Sequence, residues 1–234
     1  MPLCDILLNT LPRYETKIPS TKEEVWFRPL LVKEERLLLQ ISEFGTYKEK
    51  INCIIRILES CFEYENIKKL TIVDIQYLFI KLRIKSIGSN VSPYFICQET
   101  GEKIKLKIDL NDIEVTYDPR HVSLLEFSNI KIKMKYPDIT TILEYDTTKS
   151  NDDDVYNLAI SCIDEIHTRD EKIQGSDQNK NEMEAFLDSM TKDQFDKIVL
   201  FFETMPKIEK SVEYTTADGI VRTVVLRGIS DFFV

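Results

Sequence analysis

Glycine is scarce in this chain, and the scarcity excludes chemistry. Six glycines spread singly through 234 residues cannot build the close backbone loops that cradle phosphates. None of G-x-G-x-x-G, G-x-x-x-x-G-K-[ST] or G-x-S-x-G occurs. Histidine is scarcer still: His121 and His167 are the only two, and neither lies near a cysteine at a ligand spacing, so no zinc site is expected. The five cysteines, at 4, 53, 61, 97 and 162, contain no C-x-x-C pair. Such a set reads as reduced cytosolic thiols, with Cys61 and Cys162 packed as small hydrophobes. No apolar run approaches the roughly 18–20 residues of a membrane span. The N-terminal M-P-L-C-D-I-L-L-N lacks a basic start and a long apolar core, so secretion is not expected. Positive charge is also in deficit. With 31 Lys and Arg against 40 Asp and Glu, the net charge is −9, which argues against nucleic-acid and anionic-membrane partners.

What is present is the grammar of a globular α+β protein, 43% apolar and 30% charged. Residues 12–28 read as two short strands around a turn at Pro19-Ser20, with Trp26 at the edge of the core. A helix follows with Leu37, Leu38, Ile41 and Phe44 inward, Lys33, Glu34 and Glu35 in water, and Gly45 as its stop. Thr46 and Glu49 form a capping box before Ile51, Ile54, Ile55, Leu58, Cys61 and Phe62. Thr71 and Asp74 open the next helix, whose apolar face (Ile75, Leu78, Phe79, Leu82) and second strip (Tyr77, Ile80, Ile84) leave little for water. A helix so nearly apolar is covered from two sides. Together these make a three-helix unit over residues 30–87.

After Gly88 the pattern turns to short alternating segments. A small, mostly antiparallel sheet is predicted over residues 91–135, including a hairpin at E-T-G-E with Gly101 at a positive-φ position. The alternating K-I-K-M-K at 131–135 fits a strand with one wet face. Residues 138–150 read as a polar connection with one apolar turn, I-T-T-I-L. Asp152, Asp153 and Asp154 then begin a helix with Val155, Leu158, Ala159, Cys162, Ile163 and Ile166 on one face. Residues 169–181 are the most loop-like stretch. Thr191 and Gln194 cap a helix carrying Phe195, Ile198, Val199 and Phe202, widened by Leu200 and Phe201, and a hairpin turns around Asp218-Gly219 before the ending G-I-S-D-F-F-V. The organisation expected is an N-terminal α+β domain over 1–147 and a C-terminal helical unit with its hairpin over 148–234.

No constellation carries catalysis. Three consecutive aspartates diverge around a helix instead of converging on an ion, so Asp152–Asp154 suit a helix N-terminus better than a metal-dependent hydrolase. Asp164 and Glu165 beside His167 lack a nucleophile. His121 reads as a strand residue without an acid partner. No catalytic, metal or cofactor site is assigned. The remaining feature is bulk: Phe195, Ile198, Phe201, Phe202, Phe232 and Phe233 form the candidate partner-binding surface, because large apolar patches mark interaction sites.

Several stretches in order are P-L-L-V-K-E-E-R-L-L-L at 29–39, D-I-Q-Y-L-F-I-K-L-R-I-K-S at 74–86 and M-K-Y-P at 134–137. F-L-D-S-M-T at 186–191, F-F-E-T-M-P at 201–206 and L-R-G-I-S-D-F-F at 226–233 complete the set. In these the chain resembles the baseplate hub assembly proteins of T-even-like contractile-tailed bacteriophages. The resemblance implies a non-enzymatic morphogenesis protein without cofactors, working in the host cytoplasm as a chaperone or staying in the virion baseplate as a minor hub component. Its implied partners are baseplate hub or tape-measure-like proteins, with self-association open. Cys97 stands alone before E-T-G-E and Asp218-Gly219 has no cysteines, so metal-ribbon behaviour does not carry over. A nucleic-acid accessory protein is the other competing class.

Overall fold

The computed structural model describes residues 10–44, 46–144 and 152–233, with the side chains at 41–44, 152, 153, 230 and 233 excepted. An antiparallel ribbon comes first, β1 (Tyr14–Lys17) against β2 (Glu24–Phe27), turning through Pro19 and Ser20. Alternation along β2 sends Val25 and Phe27 inward and Trp26 outward. Trp26 is therefore 43% exposed beneath the Arg13 guanidinium, not packed at the edge of the core.

Helices α1 (Val32–Phe44), α2 (Tyr47–Cys61) and α3 (Ile72–Ile87) follow, and the boxes Thr46/Glu49 and Thr71/Asp74 are both formed. Glu34 departs from expectation. It is buried, its carboxylate held by Arg28 Nη2 and Ser60 Oγ at 2.9 Å each and by the Leu31 amide at 2.8 Å. Arg28, projecting from the end of β2, brings the charge that makes this burial tolerable. Gly45 and the side chains of Ile41 and Phe44 lie outside the described residues.

Next come β3 (Asn90–Val91), β4 (Tyr94–Ile96), β5 (Lys103–Lys105), β6 (Ile108–Asp109) and β7 (Val115–Thr116). Gly101 takes φ +73° in the turn between β4 and β5, a conformation that costs a side chain-bearing residue energy. The chain continues through β8 (Leu124–Glu126), β9 (Lys131–Met134), α4 (Ile139–Glu144), α5 (Asp152–Cys162), β10 (Ile163–His167) and β11 (Lys172–Gln174). It ends with α6 (Lys180–Asp188), α7 (Lys192–Thr204), β12 (Lys207–Thr215), β13 (Val221–Arg227) and α8 (Gly228–Phe233).

Two local expectations change here. The helix predicted to run to residue 167 stops at Cys162, because the next five residues pair with β9 on one side and β11 on the other. Two ladders of hydrogen bonds outweigh a helical spacing. The loop-like stretch 169–181 contains β11, a 3₁₀ turn and the capping box Asn179/Glu182 that starts α6. The N-x-x-E signal was legible there.

The chain packs as two compact units: the described residues up to Thr116 together with those from Lys207 onward, and Tyr117–Pro206. The boundary expected at 147/148 thus falls inside the second unit. The cause is a strand pair, Lys207↔Thr116 and Ile208↔Val115, which joins β12 to β7 and returns the terminal hairpin to the first unit. The sheet expected over 91–135 is divided accordingly. β3–β6 and β4–β5 are two-stranded ribbons of the first unit, whereas β8 and β9 belong to a four-stranded sheet of order β11-β10-β9-β8 in the second.

In the first unit α3 is central, as expected, with Ile75, Leu78, Ile80 and Leu82 buried. Ile80 packs with Leu106, Ile108, Ile208, Leu226 and Phe232. In the second unit Leu125, Ile132 and Met134 of the sheet pack with Leu158, Cys162, Met183, Leu187, Ile198 and Phe201. The class is α+β, with helices laid on several small antiparallel sheets.

Candidate docking surface

Thr191 caps α7 by accepting the Gln194 amide, and the Gln194 side chain accepts the Thr191 amide at 2.8 Å, so the start of this helix is fixed locally. Its apolar face then turns inward. Ile198 and Phe201 are 0% and 1% exposed within the core of the second unit, and Phe195 and Phe202 are partly buried against it. Phe232 is buried in the first unit beside Ile80 and Leu226, and the Phe233 side chain lies outside the described residues. This corrects the expected surface. Ile198 and Phe232 are closed to a partner, Phe201 is covered except where it borders the groove described next, and the six residues do not gather in one unit. The four-stranded sheet gives the α7 aromatics more to pack on than a helical C-terminal unit would have supplied.

An exposed apolar patch of the second unit lies alongside instead. Residues before and in β8, with Lys197, Leu200, Phe201 and Thr204 of α7, line a groove of about 430 Å³. Val122 is 55% exposed there, and Leu124 and Leu200 are 39% exposed each. β8 is the last strand of its sheet. Met134 donates its amide to Ser123 O at 2.7 Å and Phe127 donates to Ile130 O at 2.9 Å. By antiparallel alternation Ser123, Leu125 and Phe127 therefore face β9, while the main chain of Leu124 and Glu126 faces the open edge. Lys197 Nζ covers the Glu126 carbonyl at 2.8 Å. Sequence reasoning passed over this edge. The available signal was Leu124-Leu125, since consecutive leucines in a strand must leave one facing outward.

His121 sits beside this groove, in the loop leading to β8 and not in a strand. Thr204 Oγ1 donates to Leu200 O at 2.6 Å. Its contact with His121 Nδ1 at 3.0 Å must then have the imidazole as donor. Nε2 is left as the acceptor for Tyr136 Oη at 2.8 Å. The ring lies 5.1 Å from that of Phe201. Burial holds the imidazole below its ordinary pKa, against an opposing pull from Asp118. His121 is thus a neutral clamp between the loop, α7 and Tyr136.

The remaining polar clusters tie elements together. Glu165 accepts from Lys133 at 3.2 Å and contacts His167 at 2.5 Å, and Lys133 also bridges Asp164 at 2.7 Å. The His167 contact, then Lys133, hold the Glu165 carboxyl down at about 2. Burial pushes the Cys61 and Cys162 thiols up to about 11. Cys97 differs: hydrogen bonds from Thr100 and Tyr214 bring it to about 7, the Tyr214 hydroxyl lying 3.3 Å from Sγ. Where the turn after Cys97 meets the β12–β13 turn, Arg222 bonds Glu99, Asp218 and Thr216, and Glu102 accepts the Ala217 amide at 3.1 Å. Among the described residues no group of three or more His, Cys, Asp or Glu is arranged to hold a metal. α5 begins at Asp152, while the side chains of Asp152 and Asp153 lie outside the described residues. Among the described residues no helix is long and apolar enough to cross a membrane.

No curated protein and no solved structure matches the chain. A family model, described as T4 bacteriophage base plate protein, matches residues 11–234. Covering nearly the whole sequence, both units included, that match means that the chain belongs to the T4 bacteriophage base plate protein family, whose description points to a structural or assembly role in the phage baseplate.

Proposed function

We propose that this protein acts without chemistry of its own, binding hub or tape-measure-like proteins while the hub of the baseplate is built, and keeping an exposed segment of them soluble until it is incorporated. The observation that carries this reading is the family match over residues 11–234, taken with the order of the resembling motifs. Two features support it. The polar clusters are spent on structural ties, as with Glu165, Lys133 and His167. The second unit also offers a rigid sheet edge and helix beside an apolar groove, the kind of surface on which peptide segments dock.

The test is co-expression with the neighbouring hub proteins followed by affinity pull-down and a solubility assay. The protein should be retained with a hub protein, and that protein should become insoluble when it is omitted. Hub proteins that stay soluble alone while this chain stays free would reject the reading. A minor subunit retained in the baseplate is the second reading. Mass spectrometry of purified virions separates the two, since a chaperone leaves and a subunit remains at fixed stoichiometry.

A further inference from the structure

We infer that the groove between β8 and α7 takes an extended segment of a partner protein, which adds to the sheet as a new strand along β8. The segment would carry apolar side chains at alternate positions and a carboxylate toward Lys197. This inference rests on the assembly role proposed above and assigns it a surface.

The open edge selects the occupant. Antiparallel alternation leaves the Leu124 N–H and C=O and the Glu126 N–H directed away from β9. This donor–acceptor row, at strand spacing, is satisfied by another extended main chain. A helix has spent its own main-chain groups and could not pair with it. Apolar surface beside the edge adds a second requirement. Val122, Leu124 and Leu200 are exposed together, and Phe201 and Leu125 form the floor. A groove of about 430 Å³ accommodates a few side chains. Exposed edges are ordinarily blunted by charge, proline or a covering element. Here α7 stands beside the edge, and Lys197 closes the Glu126 carbonyl while the main chain of Leu124 stays open.

Charge supplies the polarity. Arg120, at one end of the groove, is already paired with Asp118 through two contacts at 3.1 and 2.8 Å. Glu126 is paired with Lys131. Lys197 donates to the Glu126 carbonyl and lies 5.1 Å from the Phe127 ring, in no salt bridge among the described residues. Lys131 makes the direct pair with Glu126 and Lys197 acts on the same carboxylate at longer range. Two lysines thus face one carboxylate, and the Glu126 end of the groove carries a net positive charge, where an acidic residue of the incoming segment would meet it.

The test uses the full chain and a displayed library of random linear peptides. Selected peptides should alternate apolar residues and carry Asp or Glu toward one end. Hydrogen exchange at the Leu124 and Glu126 amides should slow by about tenfold or more when an enriched peptide binds. Leu124→Pro removes an N–H that faces away from β9, which an edge strand tolerates. It should weaken binding by about tenfold or more with an unchanged melting temperature. Should that variant melt early, Leu200→Glu leaves the strand main chain intact and should weaken apolar peptides comparably. Lys197→Gln should weaken acidic peptides and spare neutral ones. The inference is overturned by a library that yields no binder, by protection of other amides, by peptides bound as helices, or by affinities unchanged in Leu124→Pro and Leu200→Glu. Concentration-dependent dimerisation lost in Leu124→Pro would give the edge to a second copy and overturn it as well. If Leu124→Pro still retains the hub protein in the co-expression assay, the assembly role stands and this groove is not its surface.

Discussion

Thr116 and Lys207 face each other as strand partners although the second unit separates them in sequence. The chain leaves the first unit at the end of β7 and re-enters it at the start of β12, and β7 and β12 lie side by side. The second unit is thus an insertion at a hairpin position. The terminal β12–β13 hairpin completes the first unit's core through Ile208 and Leu226.

This geometry predicts that the insertion is removable. Joining Thr116 to Lys207 through a two-residue Asn-Gly turn suits an antiparallel pair and should leave a chain that melts cooperatively. Circular dichroism and calorimetry check it. A shortened chain that binds hydrophobic dye and shows no cooperative transition would mean that the first unit needs the second in order to fold.

Asp74 is fully buried, and its carboxylate accepts the Ser20 amide at 2.9 Å, the Ser20 and Thr71 hydroxyls at 2.7 Å each and the Thr71 amide at 3.0 Å. It caps α3 and pins the β1–β2 turn to it. Asp74→Ala should cost about 2–4 kcal/mol, because several buried donors lose their acceptor together. Urea denaturation measures this. A loss within about 0.5 kcal/mol, the scale of an ordinary surface change, would refute the dual role.

His121 gives the second unit a pH dependence of definite sign. Its imidazole is held below the ordinary value of about 6.5 by burial. Above that value it is neutral both folded and unfolded, and its stabilising contribution is fully present. As the pH falls toward the folded pKa, the unfolded chain takes up the proton first and stability declines. Denaturation midpoints measured between about pH 7.5 and 5 should fall for the native chain. Over the same range His121→Gln should give a flatter profile. Parallel profiles would remove His121 as the source.

Gly175 is fixed by crowding and not by backbone conformation. A Cβ there would sit 2.2 Å from the Ile163 carbonyl oxygen and 3.1 Å from its carbon. Backbone atoms cannot swing aside as a side chain can. Gly175→Ala should therefore destabilise the protein by about 1–3 kcal/mol, with faster amide exchange along β10. A variant of native stability would show that the turn after β11 shifts freely.

Elements whose causes are local are legible in the amino-acid order alone. The capping boxes at Thr46, Thr71 and Thr191, the alternation of β1 and β2, the glycine turn at Gly101 and the nearly all-apolar α3 each depend on side chains within a few residues of one another. Tertiary structure decided what depends on partners distant in the chain. Ile163–His167 became a strand because two neighbours supplied ladders, and Glu34 was buried because Arg28 came to meet it. The hairpin changed units because β7 was available to pair, and the α7 aromatics went inward because a sheet covered them. Periodicity shows that a residue has an apolar or an open side. Which other segment meets that side is set by long-range pairing, and for this reason the groove at β8 is apparent only in the folded chain.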